Sequence, residues 1–400
     1  MAYQETTVTG YGDRLKNSFK GIAAGFLMFI AGTGLLFWNE GNFVKTKKSI
    51  QEAEGVAVSV SDVSAVDPAL NGKLIHAYAF ADTQDILTDG LFGINEKAIA
   101  ISRRVEYYQN EEHSSTQTKD KIGGGQETIT TYTYKEAWVS RPVDSGAFKD
   151  PEYKATNFVV TKIEGKSEYA QNVTFGAYKL PSFIIKSISG SLPADVKLTP
   201  QELQQWENEV AKSMAGLGKK PDAKMVSAQG NEVYFGKSAS APAIGDVRVT
   251  LTKILPADIS IIAKVIGNTF EPYIASNGKT FSSVSMGTVS AETMFASAHS
   301  SNSTFTWVLR FVGVFIVIFG LKSMFGILPA LFKVLPFLGN IVGAGVGLVC
   351  TIIGIAWSLI IISIAWLFYR PLIAVPMLAV AVAGIWYLKQ KGKQKQAETA

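Results

Sequence analysis

Residues 21–38 read GIAAGFLMFIAGTGLLFW, eighteen positions without a charge. A hydrocarbon core needs about 20 mostly apolar helical residues, so this run spans a bilayer once its flanks are counted. A cleaved leader would end in a polar stretch with small residues at the cut. Here Trp38-Asn39-Glu40-Gly41 follows at once, so the segment reads as an uncleaved anchor with Trp38 at the interface. Gly21 and Gly25, four residues apart, give it a face on which another helix can pack closely.

Working outward, charge is again scarce beyond residue 304. The next span is 305–321, with Arg310 near its start. The position predicts that Arg310 snorkels to the headgroups beside Trp307, an interfacial aromatic. Between Lys333 and Arg370 lie 36 uncharged residues. As one straight helix they would measure about 54 Å, more than a bilayer requires. Pro336, Gly339 and Asn340 therefore assign 322–340 to a loop or interfacial segment and 341–367 to a third span. That span ends in the anchor Trp366-Leu367-Phe368-Tyr369-Arg370, and Pro371 opens a fourth span over 371–388. Gly339, Gly343 and Gly347 repeat the four-residue spacing and predict helix packing, within one bundle or between copies in a homo-oligomer.

Four spans put both tails on one face. Lys389, Lys391, Lys393 and Lys395 share it with Arg14, Lys16, Lys20, Lys322 and Lys333, leaving Arg370 in the opposite short loop. The bias of basic residues towards the cytoplasm then makes the tails, 1–20 and 389–400, cytoplasmic. It makes 39–304 extracytoplasmic or lumenal, although Lys45, Lys47 and Lys48 oppose this weakly.

The 39–304 region holds 27 basic and 30 acidic residues, a net of −3, whereas the whole chain is +5. The basic excess belongs to the membrane flanks, so nucleic acid is not an expected partner. The region reads as α+β, richer in strand than in helix. Runs at 74–79, 98–108, 127–138, 232–235, 246–254 and 258–266 are rich in β-branched and aromatic residues. The 127–138 run is expected to pair with 98–109 across a mobile loop containing Gly123-Gly124-Gly125. A helix is expected from Pro200 to about Met214, with Thr199 as cap and Leu203, Trp206 and Val210 on one face. A second, Ala291–Ser300, would lead into the membrane.

Chemistry is sparse. The single cysteine, Cys350, lies in an apolar run, which excludes an intrachain disulfide. His76, His113 and His299 are too scattered for metal-ligand spacing, and no nucleophile or dinucleotide motif is present. No catalytic residue, metal or cofactor is expected. The span cores lack Asp, Glu, His and Lys, which disfavours proton-relay transport.

Several short pieces, in order, carry a resemblance. They are Asn39-Glu40-Gly41, Lys45-Thr46, Arg103, Val105-Glu106, Tyr108-Gln109, Tyr132, Tyr134, Trp138, Gly245-Asp246 and Arg248-Val249. Ser301-Asn302-Ser303, Thr306-Trp307, Leu309-Arg310 and Trp366–Leu372 complete the set. With the one-plus-three span layout, the chain resembles the LUMA family of multi-pass membrane proteins (transmembrane protein 43). The resemblance implies a non-enzymatic scaffold that self-associates and assembles other membrane or envelope proteins. It implies the endoplasmic reticulum and inner nuclear membrane, with emerin and lamins as partners, in a eukaryotic cell. In a bacterium it implies the plasma membrane. A lipid-binding or enzymatic domain, or an oligomeric channel, is the alternative.

Overall fold

The computed structural model describes residues 3–222 and 224–370. Three helical stretches are long and apolar enough to cross a membrane: Tyr11–Val56, Ala291–Phe332 and Pro336–Tyr369. The expected fourth span, 371–388, and the basic tail, 389–400, lie outside the described residues.

The first helix, α1 (Tyr11–Val56), does not stop at the end of the apolar run but continues for a further eighteen residues to Val56. Its membrane half supplies Leu36 to a core shared with Val317, Leu321 and Cys350. Its distal half carries Ile50 and Ala53 into a core with Leu74, Ile262, Met294 and Phe295. Helix α2 (Pro200–Gly216) starts with the capping box that Thr199 and Glu202 foretell. Helix α3 (Ala291–Phe325) joins the expected connector and the second span into one rod. A short α4 (Ile327–Phe332) and a turn lead into α5 (Pro336–Tyr369), so the expected 322–340 loop is largely helical.

Glycine sets the distance between α1 and α3. A Cβ at Gly25 would sit 2.6 Å from the Gly320 carbonyl oxygen and 2.7 Å from the Met324 nitrogen. A Cβ at Gly320 would meet the Phe29 nitrogen at 2.7 Å. Gly32 faces Val317 and Gly313 faces Leu36 in the same way. The two backbones touch without intervening side chains, as small-residue interfaces in membranes allow. Gly25→Val is therefore expected to destabilise the bundle by about 1–3 kcal/mol through overpacking against rigid backbone. Thermal unfolding in detergent reads this, with Gly34→Val as control, since among the described residues nothing lies within 4 Å of a Cβ there. Equal losses in both variants would refute the backbone contact.

The domain is built on two sheets. Its principal strands are β1 (Tyr3–Thr9), β2 (Leu74–Thr83), β3 (Ala100–Asp120), β4 (Gln126–Val139), β5 (Val226–Gln229), β6 (Glu232–Phe235), β7 (Val247–Ile254) and β8 (Ala257–Ile266). One sheet runs β1–β4–β3–β7–β6–β5; the other centres on β2 paired with β8. The inner residues of the first sheet, among them Val105, Val233, Phe235, Val247 and Val249, pack with Val210 and Met214 of α2. Those of the second, Ile75, Ala77, Ile259 and Ile261, pack with Phe175 and Tyr178.

The 127–138 run pairs with the strand that begins in 98–109, but in a register moved towards the turn, so that only Tyr108 and Gln109 of that stretch face it, opposite Trp138 and Ala137. The first part of β3, residues 100–107, pairs with β7. Its second part carries the hairpin, with Tyr107 opposite Val139 and Asp120 opposite Gln126. The stretch 110–120 is strand rather than loop because its Thr, Ser and Gln side chains suit an extended, hydrated backbone. Nor is the glycine turn loose. Gly123 and Gly124 take positive φ of 92° and 83°, and the Gly123 N–H donates to the Val334 carbonyl at 3.1 Å. Asp120 pairs with Arg14 and Lys333, each at 2.7 Å. The tip thus reaches the ends of α1 and α4 remote from the domain. There the N-terminal segment, expected to be a separate tail, adds β1 to β4 with Tyr3 opposite Tyr132.

A candidate functional site at the junction of helices and domain

Most of the residues carrying the resemblance gather in two places, while Arg103 pairs with Asp89, and Tyr132 and Tyr134 donate to Glu5 and Glu112 along the hairpin. The first is the level at which α1, α3 and the end of α5 meet. Asn39 and Glu40 are fully buried there. The Asn39 amide donates to the Thr306 carbonyl at 3.0 Å, and the Asn302 amide to the Phe43 carbonyl at 3.2 Å. Arg310 Nε donates to Glu40 Oε1 at 2.6 Å, and its guanidinium lies 4.7 Å from the Trp307 ring centre. Arg310 is therefore partnered inside the bundle rather than extended towards headgroups. A buried carboxylate requires such a partner, because an unpaired charge there costs several kcal/mol.

Arg370 covers Trp366 at 4.2 Å and Phe43 at 5.2 Å, so cation–π contact holds the end of α5 to α1. Tyr369 rests on Gly41, where a Cβ would overlap its ring, and lies tilted against Phe37 with ring centres 5.5 Å apart. Trp38 and Trp307 are each about half exposed, at 54%. Asn39 Oδ1 and Glu40 Oε2 have no partner among the described residues. Just above, Glu52 of α1 accepts from the Tyr273 hydroxyl at 2.8 Å and the Ser276 N–H at 2.9 Å. Those hydrogen bonds, that from the Ser276 hydroxyl foremost, hold its carboxyl below the usual range.

The glycines expected to mediate packing separate by place. Gly21 accepts a 2.8 Å bond from Ser323, and Gly25 is the α1–α3 contact. Gly339 packs on Lys333 at the α4–α5 turn, and Gly343 of α5 packs on Pro329 of α4. A Cβ at Gly347 would have nothing within 4 Å among the described residues, and Gly354, not singled out by spacing, is where α5 meets Ile318 of α3. Asn302, in a glycosylation-type triplet, is buried within α3.

The second gathering is on the first sheet. Glu106 pairs with Arg248 at 2.8 Å, and the Arg248 guanidinium lies 4.4 Å from the Trp138 ring centre. Trp138 packs against Tyr108 at 5.2 Å and Tyr234 at 6.1 Å. The Tyr234 hydroxyl and the Ala243 N–H both donate to Asp246 Oδ2, the latter at 2.9 Å. Burial pushes the Asp246 carboxyl up despite those two hydrogen bonds. Gly245, at φ +101°, leaves room for the Phe158 ring. Partners are matched within this network, which ties β3, β4, β6 and β7 together. Tyr234 is the member that the sequence did not indicate.

A shallow groove of about 830 Å³ lies elsewhere, between Ile86, Leu180 and Ile185 with Asp85, Lys179 and Lys186 at its rim. Asp85 is already bound by the Gln171 and Asn172 N–H groups at 2.7 and 2.8 Å. Among the described residues no group of three or more His, Cys, Asp or Glu could hold a metal.

The family model for transmembrane protein 43 matches residues 107–371, from the sheet cluster to the end of the helical junction. The chain belongs to the transmembrane protein 43 family. Mouse transmembrane protein 43 is 28% identical over 97% of this chain and 94% of its own length. The human protein is 27% identical with the same coverage, and the Drosophila homologue is 27% identical over 91% of this chain and 93% of its own length. No solved structure matches. Membership in the transmembrane protein 43 family and the three apolar helices make this an integral membrane protein, with the bilayer as its first partner.

Proposed function

We propose that the chain is a non-enzymatic membrane scaffold, which self-associates and holds other membrane or envelope proteins through its strand-rich domain. The observation that carries this reading is mechanical. Helices α1 and α3 run unbroken from the apolar bundle into the cores of the domain, at Ile50, Ala53, Met294 and Phe295. Glu40–Arg310 and the Glu52 contacts then lock the joint. A domain so fixed presents its surfaces at a set height and orientation to the bilayer, which suits assembly better than a tethered, tumbling module. The partly matched polar groups at the junction support a load-transmitting joint rather than a reaction centre. In this reading the domain is extracytoplasmic or lumenal, apart from the β3–β4 ribbon whose tip reaches Arg14 and Lys333.

Crosslinking mass spectrometry on the full-length protein in native membranes tests this. Reproducible crosslinks from domain residues to copies of the chain and to defined membrane proteins are the expected result. Recovery of lipid alone, with domain residues crosslinked only within one chain, would sink it.

A further inference from the structure

The hairpin β3–β4, with β1 added, stands beside the helical bundle along its height. From Tyr107 to Asp120 the strand measures about 43 Å, and α1 from Glu40 down to Arg14 measures about 39 Å. The tip is fixed at the far helix ends by Arg14 and Lys333. The ribbon therefore lies at bilayer depth, yet Thr6, Thr7, Ser115, Thr116, Thr130 and Thr131 make it polar on both faces. Among the described residues its edges are also open. β1 pairs only with β4, and β3 beyond Tyr107 pairs only with β4. Hydrocarbon tolerates neither feature, since every unpaired backbone group there costs several kcal/mol.

We propose that copies of this chain pair edge to edge through these ribbons, β3 of one against β1 of the next. A ring of copies then encloses a closed polar barrel walled off from lipid by the helices. Two observations favour a second copy over any other occupant. β1 and β3 are both antiparallel to β4 and so run in the same direction, towards the tip. A rotation about an axis along the ribbon brings the open β3 edge onto the open β1 edge of a neighbour, a head-to-tail contact that closes into a ring. At the tip end, the recess between ribbon and helices, about 420 Å³, carries Arg14, Asn17, Ser18 and Lys333 beside Pro329 and Ala330, so polar groups face the ribbon there. In the proposed ring, water occupies the barrel while the apolar outer faces of α1, α3 and α5 meet lipid. The polar stripe that the spans lack is supplied by strands.

This inference rests on the self-association in the proposed function and gives it a mode. The test uses full-length Cys350→Ser carrying Thr6→Cys with, in turn, Ser115→Cys, Gln117→Cys or Lys119→Cys, all exposed sites. Within one chain β1 and β3 are two strand spacings apart, about 9.6 Å, beyond the roughly 4.4–6.8 Å that a disulfide spans. Oxidation in native membranes is expected to convert monomer into a ladder of covalent multimers for at least one pairing. Ser115→Cys alone should react with a water-soluble maleimide. If no pairing gives a ladder while lysine crosslinkers still give oligomers, the edge contact is wrong and self-association through helices stands. A maleimide-reactive, monomeric protein under both chemistries would overturn the barrel and the self-association together.

Discussion

Arg310→Leu is expected to destabilise the bundle by about 3–5 kcal/mol, because it leaves Glu40 charged and buried with no partner. Glu40 has no exposed surface and receives its 2.6 Å bond from the middle of α3. The double variant Glu40→Leu/Arg310→Leu should recover most of the loss, since removing both charges also removes their desolvation cost. A double-mutant cycle on unfolding midpoints in detergent measures the coupling. Additive losses, or an Arg310→Leu variant as stable as the parent, would mean that the guanidinium resides in the headgroups and leaves Glu40 to other partners.

That pair marks the boundary of what the sequence discloses. The apolar stretches, their glycines and the strand-rich composition of the domain are local properties, and they were legible. Arg310 was legible as a charge near a helix end, but its partner lies 270 positions away, and no periodicity links them. The α1–α3 contact was half legible. Four-residue spacing marks Gly21 and Gly25, whereas the contact uses Gly25 with Gly32 and Gly313 with Gly320, both pairs seven apart. A seven-residue search would have found it, because a heptad returns nearly to the same helix face.

The hairpin is legible as a pair of strands, whereas its register is not. Residues 98–108 have the alternation of a strand, with Ile101, Val105 and Tyr107 buried, and that alternation draws the expected register back onto them. That alternation instead fits the core between β3 and α2, and the polar residues that follow carry the hairpin. Hydrophobic pattern identifies buried strands well. It is silent on a strand that is polar on both faces, which this ribbon is. The same silence concealed the N-terminal strand β1, whose Gln4, Glu5, Thr6 and Thr7 look like an unstructured tail.

The tip of that ribbon is the second place where one charge should matter greatly. Asp120 sits between Arg14 and Lys333, and all three side chains are at most 20% exposed. Asp120→Asn would leave two cations facing each other without their shared anion. The expected cost to tip attachment is about 2–3 kcal/mol, below the 3–5 of a fully buried pair because Lys333 keeps some water. Burial pushes the Asp120 carboxyl up, but Lys333 and Arg14 outweigh it and hold it below the usual range. Its stabilising contribution is thus complete above the ordinary carboxylate pKa of about 4 and is lost as pH falls through the lower folded value. At neutral pH, trypsin should cleave after Lys119 and Lys121 slowly in the parent and tens of times faster in Asp120→Asn. Hydrogen exchange across 113–126, corrected for intrinsic rates, should show the parent tip opening only below about pH 4. Glu127→Gln serves as the control, because its 3.3 Å pair with Lys121 is half exposed and worth about 0–1 kcal/mol. Fast cleavage of the parent at neutral pH would show that the tip is not held by the helices, and would remove the anchor on which the ribbon's depth in the membrane depends.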